Sequence, residues 1–101
     1  MPGKIRLDLN SSAFLDDFLG LTAGELARIG KALKRLRSLD WETFHRHPGF
    51  RWEEVGHIRA PNGGAAHSLR LSKKYRALAY RDGDYLRMLS LHLDHDSAYE
   101  G

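Results

Sequence analysis

A small α+β domain is predicted: an N-terminal strand, two or three helices, then an antiparallel four-stranded meander, with the helices packed on one face of the sheet. Three observations carry this. Residues 4–9 alternate polar and apolar side chains. Apolar residues recur at helical spacing between residues 22 and 37, behind a capping pattern. From residue 51 onward, short alternating stretches are separated by turns rich in Gly, Asn and Asp, as in a run of hairpins.

In residues 4–9, Ile5, Leu7 and Leu9 share one side, so this strand is half-buried. Asn10, Ser11 and Ser12 supply turn and N-cap chemistry. A short helix through Phe14, Leu15, Phe18 and Leu19 follows, closed by Gly20. Thr22-Ala-Gly-Glu25 is a capping box, Thr accepting at the helix start and Glu reaching back from three residues on. The helix it opens carries Leu26, Ile29, Leu33 and Leu36, with cations opposite, and ends near residues 38–40. Residues 40–48 suit either a third short helix stopped by Pro48-Gly49 or a packed loop.

Residues 51–59 read as a strand and residues 60–64, with Asn62, Gly63 and Gly64, as a turn. In residues 66–72, Leu69 and Leu71 share one face while Ser68 and Arg70 share the other. Lys73-Lys74 makes the bend, and residues 75–81 form the next strand. Asp82-Gly83-Asp84 is a hairpin turn, and residues 85–92 form the last strand before a tail.

A chain of 101 residues is expected to form one domain, residues 1–101. It has 42% hydrophobic and 29% charged residues, ordinary for a globular protein. The absence of cysteine excludes disulfides and thiolate metal sites and fits a reducing cytoplasm. No apolar run approaches the ~18 residues of a membrane helix. Net charge is +3 and the pI about 9.4. The group Arg28, Lys31, Lys34, Arg35 and Arg37 suits a polyanionic partner or a solvated helix face.

A second basic group, Arg70, Lys73, Lys74, Arg76 and Arg81, sits on predicted strands and leads into His92, His95 and Tyr99. Cations for phosphate, with imidazole and phenol groups for proton transfer, are what cleavage of an RNA backbone requires. Arg70 and Arg76 suit the phosphorane, because guanidinium matches phosphate oxygens with a planar fork. Their bland alternative is a surface ion pair with Asp82, Asp84 or Asp94.

His92 shares strand parity with Leu86 and Met88, so it packs against the sheet as readily as it reacts. His95, beyond the strand in a polar tail, is the better candidate for acid or base. Tyr99 would transfer a proton, stack on a base or dock on the core. The run His92-Leu-Asp-His-Asp96 also offers ligands for zinc or manganese. Four adjacent ligands rarely converge on one ion unsupported, so no metal or other cofactor is expected. His45, His47, His57 and His67 read as structural or surface groups. Trp41, Phe44, Phe50 and Trp52 read as core or a docking surface.

The order strand–helices–meander resembles the RelE/ParE superfamily of bacterial toxins from toxin–antitoxin systems. So do Ser68-Leu-Arg-Leu-Ser72, Tyr75-Arg-Ala-Leu-Ala-Tyr80 and the ending from Ser90 to Tyr99. RelE-like membership implies a metal-independent, ribosome-dependent mRNA endoribonuclease. The ribose 2′-hydroxyl attacks the neighbouring phosphate, translation stops, and a cognate antitoxin neutralises the toxin. ParE-like members share the fold but inhibit DNA gyrase and lack the nuclease residues, so the non-nuclease alternatives are a gyrase inhibitor or an antitoxin-binding module. The implied partners are antitoxin, mRNA and ribosome, with operator DNA reached only through the antitoxin complex.

Carried over residue by residue, Arg76 matches the arginine that contacts the scissile phosphate, and Arg70 a basic position on the preceding strand. Lys73, Lys74, Arg81 and Ser68 are the implied RNA-binding set, with the turn at Lys73-Lys74 one residue shorter than in RelE. Tyr99 matches the family's C-terminal tyrosine, and His95 stands where RelE carries a basic residue. Glu53 or Glu54 would supply a general base, as a carboxylate does in YoeB-like relatives.

Overall fold

The computed structural model describes residues 3–93. Eight elements follow in order: β1 (Arg6–Asp8), α1 (Ser12–Leu19), α2 (Ala23–Ser38), α3 (Trp41–Arg46), β2 (Glu53–Arg59), β3 (Ala65–Arg70), β4 (Tyr75–Asp82) and β5 (Tyr85–Leu93). The strands form one sheet of order β1-β5-β4-β3-β2. The meander is antiparallel, and β1 joins it parallel to β5, with Leu7 opposite Leu86. The expected α+β architecture is therefore present, with five strands in a mixed sheet.

Each helix starts at a side-chain cap. Ser11 Oγ accepts from Phe14 N–H, Thr22 Oγ1 from Glu25 N–H, and Asp40 Oδ1 from Thr43 N–H at 2.7 Å. That last bond decides residues 40–48 in favour of a helix, which buries Trp41 and Phe44. The backbone N–H of Thr43, the largest influence, holds the Asp40 carboxyl below its ordinary pKa. Leu19, expected on the inward stripe of α1, is instead exposed at the helix end, while Phe14 is fully buried.

One side of the sheet supplies Leu69, Leu71, Ala77, Ala79, Leu86, Met88 and Leu91 to a core completed by Phe14, Ile29, Leu33, Leu36 and Phe44. Burying each such large side chain contributes about 1.5–3 kcal/mol. The small Ala77 and Ala79 on central β4 leave room for these aromatic and branched groups. Gly83 turns the β4–β5 hairpin at φ +63°, a conformation that side chains with a Cβ avoid. Among the described residues no helix is long and apolar enough to cross a membrane.

Candidate active site

Strand alternation sends Ser68 and Arg70 of β3, and Arg76 of β4, to the sheet face away from the helices, because Leu69, Leu71 and Ala77 face the core. Arg70 lies directly opposite Arg76, and Arg76 directly opposite His92. Three strands thus bring two guanidiniums and an imidazole into one transverse row. Like charges facing across strands cost stability in an ordinary sheet.

The Arg76 side chain is only 13% exposed, which keeps it in a low-dielectric setting. Its Nη2 donates to Ser68 Oγ at 2.8 Å and lies 3.5 Å from Glu53 Oε1 on β2. Ser68 is directly opposite Glu53. Glu53 therefore approaches Arg76 from the β2 side, while His92 stands on the β5 side. His92 is exposed, and its Nε2 sits 2.7 Å from Ser90 Oγ.

His92 reaches this face through a β-bulge. The β4–β5 register steps from Leu78–Ser90 to Ala79–Met88, which leaves Leu89 as an extra residue on β5. One extra residue reverses the side-chain parity that follows. Met88 and Leu91 both point into the core, and Ser90 and His92 both point out. The expected shared parity of His92 with Leu86 and Met88 is corrected by this bulge. The N-cap Ser11 steadies it, since its hydroxyl donates to Leu89 O at 2.8 Å.

No protein-family model matches the sequence, and no curated protein matches it at a significant level. Comparison of folds does find relatives. A chain of the archaeal RelE–RelB complex from Pyrococcus horikoshii OT3 superposes with a TM-score of 0.63 at 14% identity, covering 92% of this chain and 98% of that one. The chain has a RelE-like fold. A copper-bound mutant toxin from Helicobacter pylori aligns with a TM-score of 0.49 at 17% identity, over 89% of this chain and 94% of that one.

On this RelE-like scaffold the sequence-derived candidates separate into groups. Arg70, Arg76, His92 and Ser68 come together on the sheet face away from the helices. Lys73 and Lys74 are exposed in the β3–β4 turn, where Ser72 Oγ accepts from the backbone of Lys74 and Tyr75. Arg81 stands apart from the row. It lies on the helix side, 4.3 Å from the Trp41 ring centroid, with Nε donating to Gly83 O. His95 and Tyr99, together with Asp94 and Asp96, lie outside the described residues.

Beside Arg81, Trp52 stacks on His67 with centroids 4.2 Å apart and planes 3° apart. His45 lies at the other end of this aromatic group, its pKa held below the ordinary 6.5 by burial first, then by Arg81 and His67. Among the described residues no three His, Asp or Glu side chains are grouped to hold a metal ion. Ser90, beside the row rather than in it, is the group that sequence reasoning missed. Its signal was the i, i+2 spacing to His92, which places both on one face of a strand.

Proposed function

We propose that the chain is the toxin of a toxin–antitoxin pair and cuts mRNA on the ribosome in the cytoplasm, without a metal, thereby inhibiting translation. The observation that carries this reading is the Arg70–Arg76–His92 row on the sheet face away from the helices. Arg76 binds the scissile phosphate and, with Arg70, stabilises the charge of the phosphorane. Glu53 and His92 flank that phosphate from opposite sides, as in-line displacement requires. One takes the proton of the 2′-hydroxyl as the 2′-O–P bond forms. The other protonates the 5′-oxygen as its bond to phosphorus breaks, leaving a 2′,3′-cyclic phosphate. His95 and Tyr99 are further candidates for proton transfer.

A cognate antitoxin is the expected protein partner, by likeness to the RelE–RelB complex, and operator DNA is met only through that complex. The deciding experiment is mRNA cleavage in a reconstituted translation system with EDTA present, run beside a gyrase supercoiling assay. Wild type, Arg76→Ala, His92→Ala and His95→Ala are compared. Cuts within codons that vanish with Arg76→Ala support the nuclease. Intact mRNA with blocked supercoiling assigns the chain to the gyrase inhibitors.

A further inference from the structure

Helix α2 carries two stripes. Ile29, Leu33 and Leu36 are buried in the core, while Arg28, Lys31, Ala32 and Arg35 follow i, i+3, i+4, i+7 spacing along a second side. That second side is one wall of a groove of about 820 Å³, and the opposite wall, at the end of β3 and the β3–β4 turn, brings Arg70, Lys73 and Lys74. Five cations of α2 and the turn, Arg28, Lys31, Arg35, Lys73 and Lys74, meet one carboxylate there among the described residues, Glu25, whose Oε1 accepts from Arg28 at 2.8 Å. This local excess exceeds the +3 of the whole chain. The rest of the molecule is therefore net negative, and the groove concentrates the positive potential.

Within the groove, two donors face each other. Gly49 N–H donates to His47 Nδ1 at 3.0 Å, so the neutral ring carries its proton on Nε2. Nε2 stands 3.5 Å from Arg35 Nη2, which is also a donor only. These two groups cannot bond to one another; they can converge on a single oxygen acceptor. The Arg35 guanidinium also lies 6.0 Å from the Phe50 ring centroid, which restrains it over the groove floor.

That floor favours one kind of ligand. Phe50 and Leu71 are each 5% exposed, so a docking peptide would find no apolar anchor. A phosphodiester chain needs only the cations.

We propose that this groove binds a single-stranded RNA backbone, with Arg35 Nη2 and His47 Nε2 sharing one phosphate oxygen. Arg70 lines the groove and is also directly opposite Arg76 on β4, so the groove begins where the cleavage row ends. A strand leaving the row passes over the Lys73–Lys74 turn towards α2. The identity of the polyanion as RNA rests on the nuclease reading; the affinity of the groove for a phosphodiester chain does not.

The test is anisotropy of a labelled single-stranded oligoribonucleotide with the full chain across a salt series, run in parallel with the cleavage assay. Lys31→Gln/Arg35→Gln is compared with Lys34→Gln/Arg37→Gln, which removes the same charge from the side of α2 that lines a different groove beside β1. The first pair should weaken binding roughly tenfold and reduce the logarithmic salt slope by about 1.4, two phosphate contacts' worth on a single strand. The second pair should bind as wild type does. The His47 ring nitrogen resonances should move on RNA addition in wild type.

Equal losses in both double variants would overturn the site, because they would report net charge alone. So would polyglutamate of matching charge competing as well as RNA does. Binding that depends on Lys31 and Arg35 in a chain that cuts no mRNA keeps the groove and removes the nuclease reading.

Discussion

Arg76 and His92 stand directly opposite each other across β4 and β5, on the sheet face away from the helices. They do so because Leu89 is one residue more than a regular strand would contain at that point. The bulge is therefore part of the site, although its own side chain is not in the row.

Leu89 is the residue left over between the pairs Ala79–Met88 and Leu78–Ser90, so deleting it should give a regular strand with the same partners and the same faces. Leu91 would stay inward and His92 outward. Cleavage should survive, and stability should fall by about 0.5–1.5 kcal/mol from loss of the Ser11 bond to Leu89 O. Activity with denaturant unfolding measures both, and a deletion variant that folds but cuts no mRNA would refute this register.

Arg76→Ala should lower the rate of cleavage by roughly 10²–10³-fold, the usual cost of one donor to a developing oxyanion. Arg76→Lys should recover little of it. Lysine keeps the charge but cannot reach Ser68 Oγ and a phosphate with one planar fork. Single-turnover kinetics on ribosome-bound mRNA decide this, and full activity in the lysine variant would show that charge alone suffices.

His92→Ala should cost roughly 10²–10⁴-fold in rate, while Ser90→Ala should cost less and move the pH profile. The reason is that Ser90 Oγ, 2.7 Å from Nε2, orients the ring without meeting the substrate. A rate–pH profile of Ser90→Ala identical to wild type would remove Ser90 from the site.

Acid should weaken the β1 edge first. The backbone N–H of Asn10, and then Arg87, hold the Asp8 carboxyl below its ordinary 3.8. Arg87 also bonds Asp82, which ties β1, β4 and β5 together. A lowered carboxylate pKa favours the folded state fully above about pH 3.8, and that gain disappears as the pH falls through the lower native value. Asp8→Asn should melt below wild type near pH ~7, and the gap should close on acidification to about pH 2. A gap that stays constant with pH would assign the effect to packing instead.

Much of this fold was legible in the chain itself. The alternation of Ser68, Leu69, Arg70 and Leu71, the N-cap at Thr22 and the Asp-Gly turn at Gly83 are local patterns; of the expected capping box only the Thr22 half forms, because Glu25 Oε1 accepts from Arg28 instead. Local patterns specify local structure, because the hydrogen bonds and turn geometries involved span only a few residues. The same patterns placed Ser68 and Arg70 on one face, and the pairing of β3 with β4 added Arg76. What tertiary structure alone decided depends on contacts between distant segments. Parity counted along β5 put His92 with Leu86 and Met88. The bulge that reverses it exists only in the pairing with β4 and in the hydroxyl of Ser11 reaching Leu89 O. Arg81, grouped by charge with Arg76, stands five residues on along β4 and so faces the other side by alternation alone; only its seat over the Trp41 ring of α3 is a tertiary contact. Period-2 alternation is written in the order of residues, whereas register, and with it the side that a charged group finally faces, is set by the partner strand.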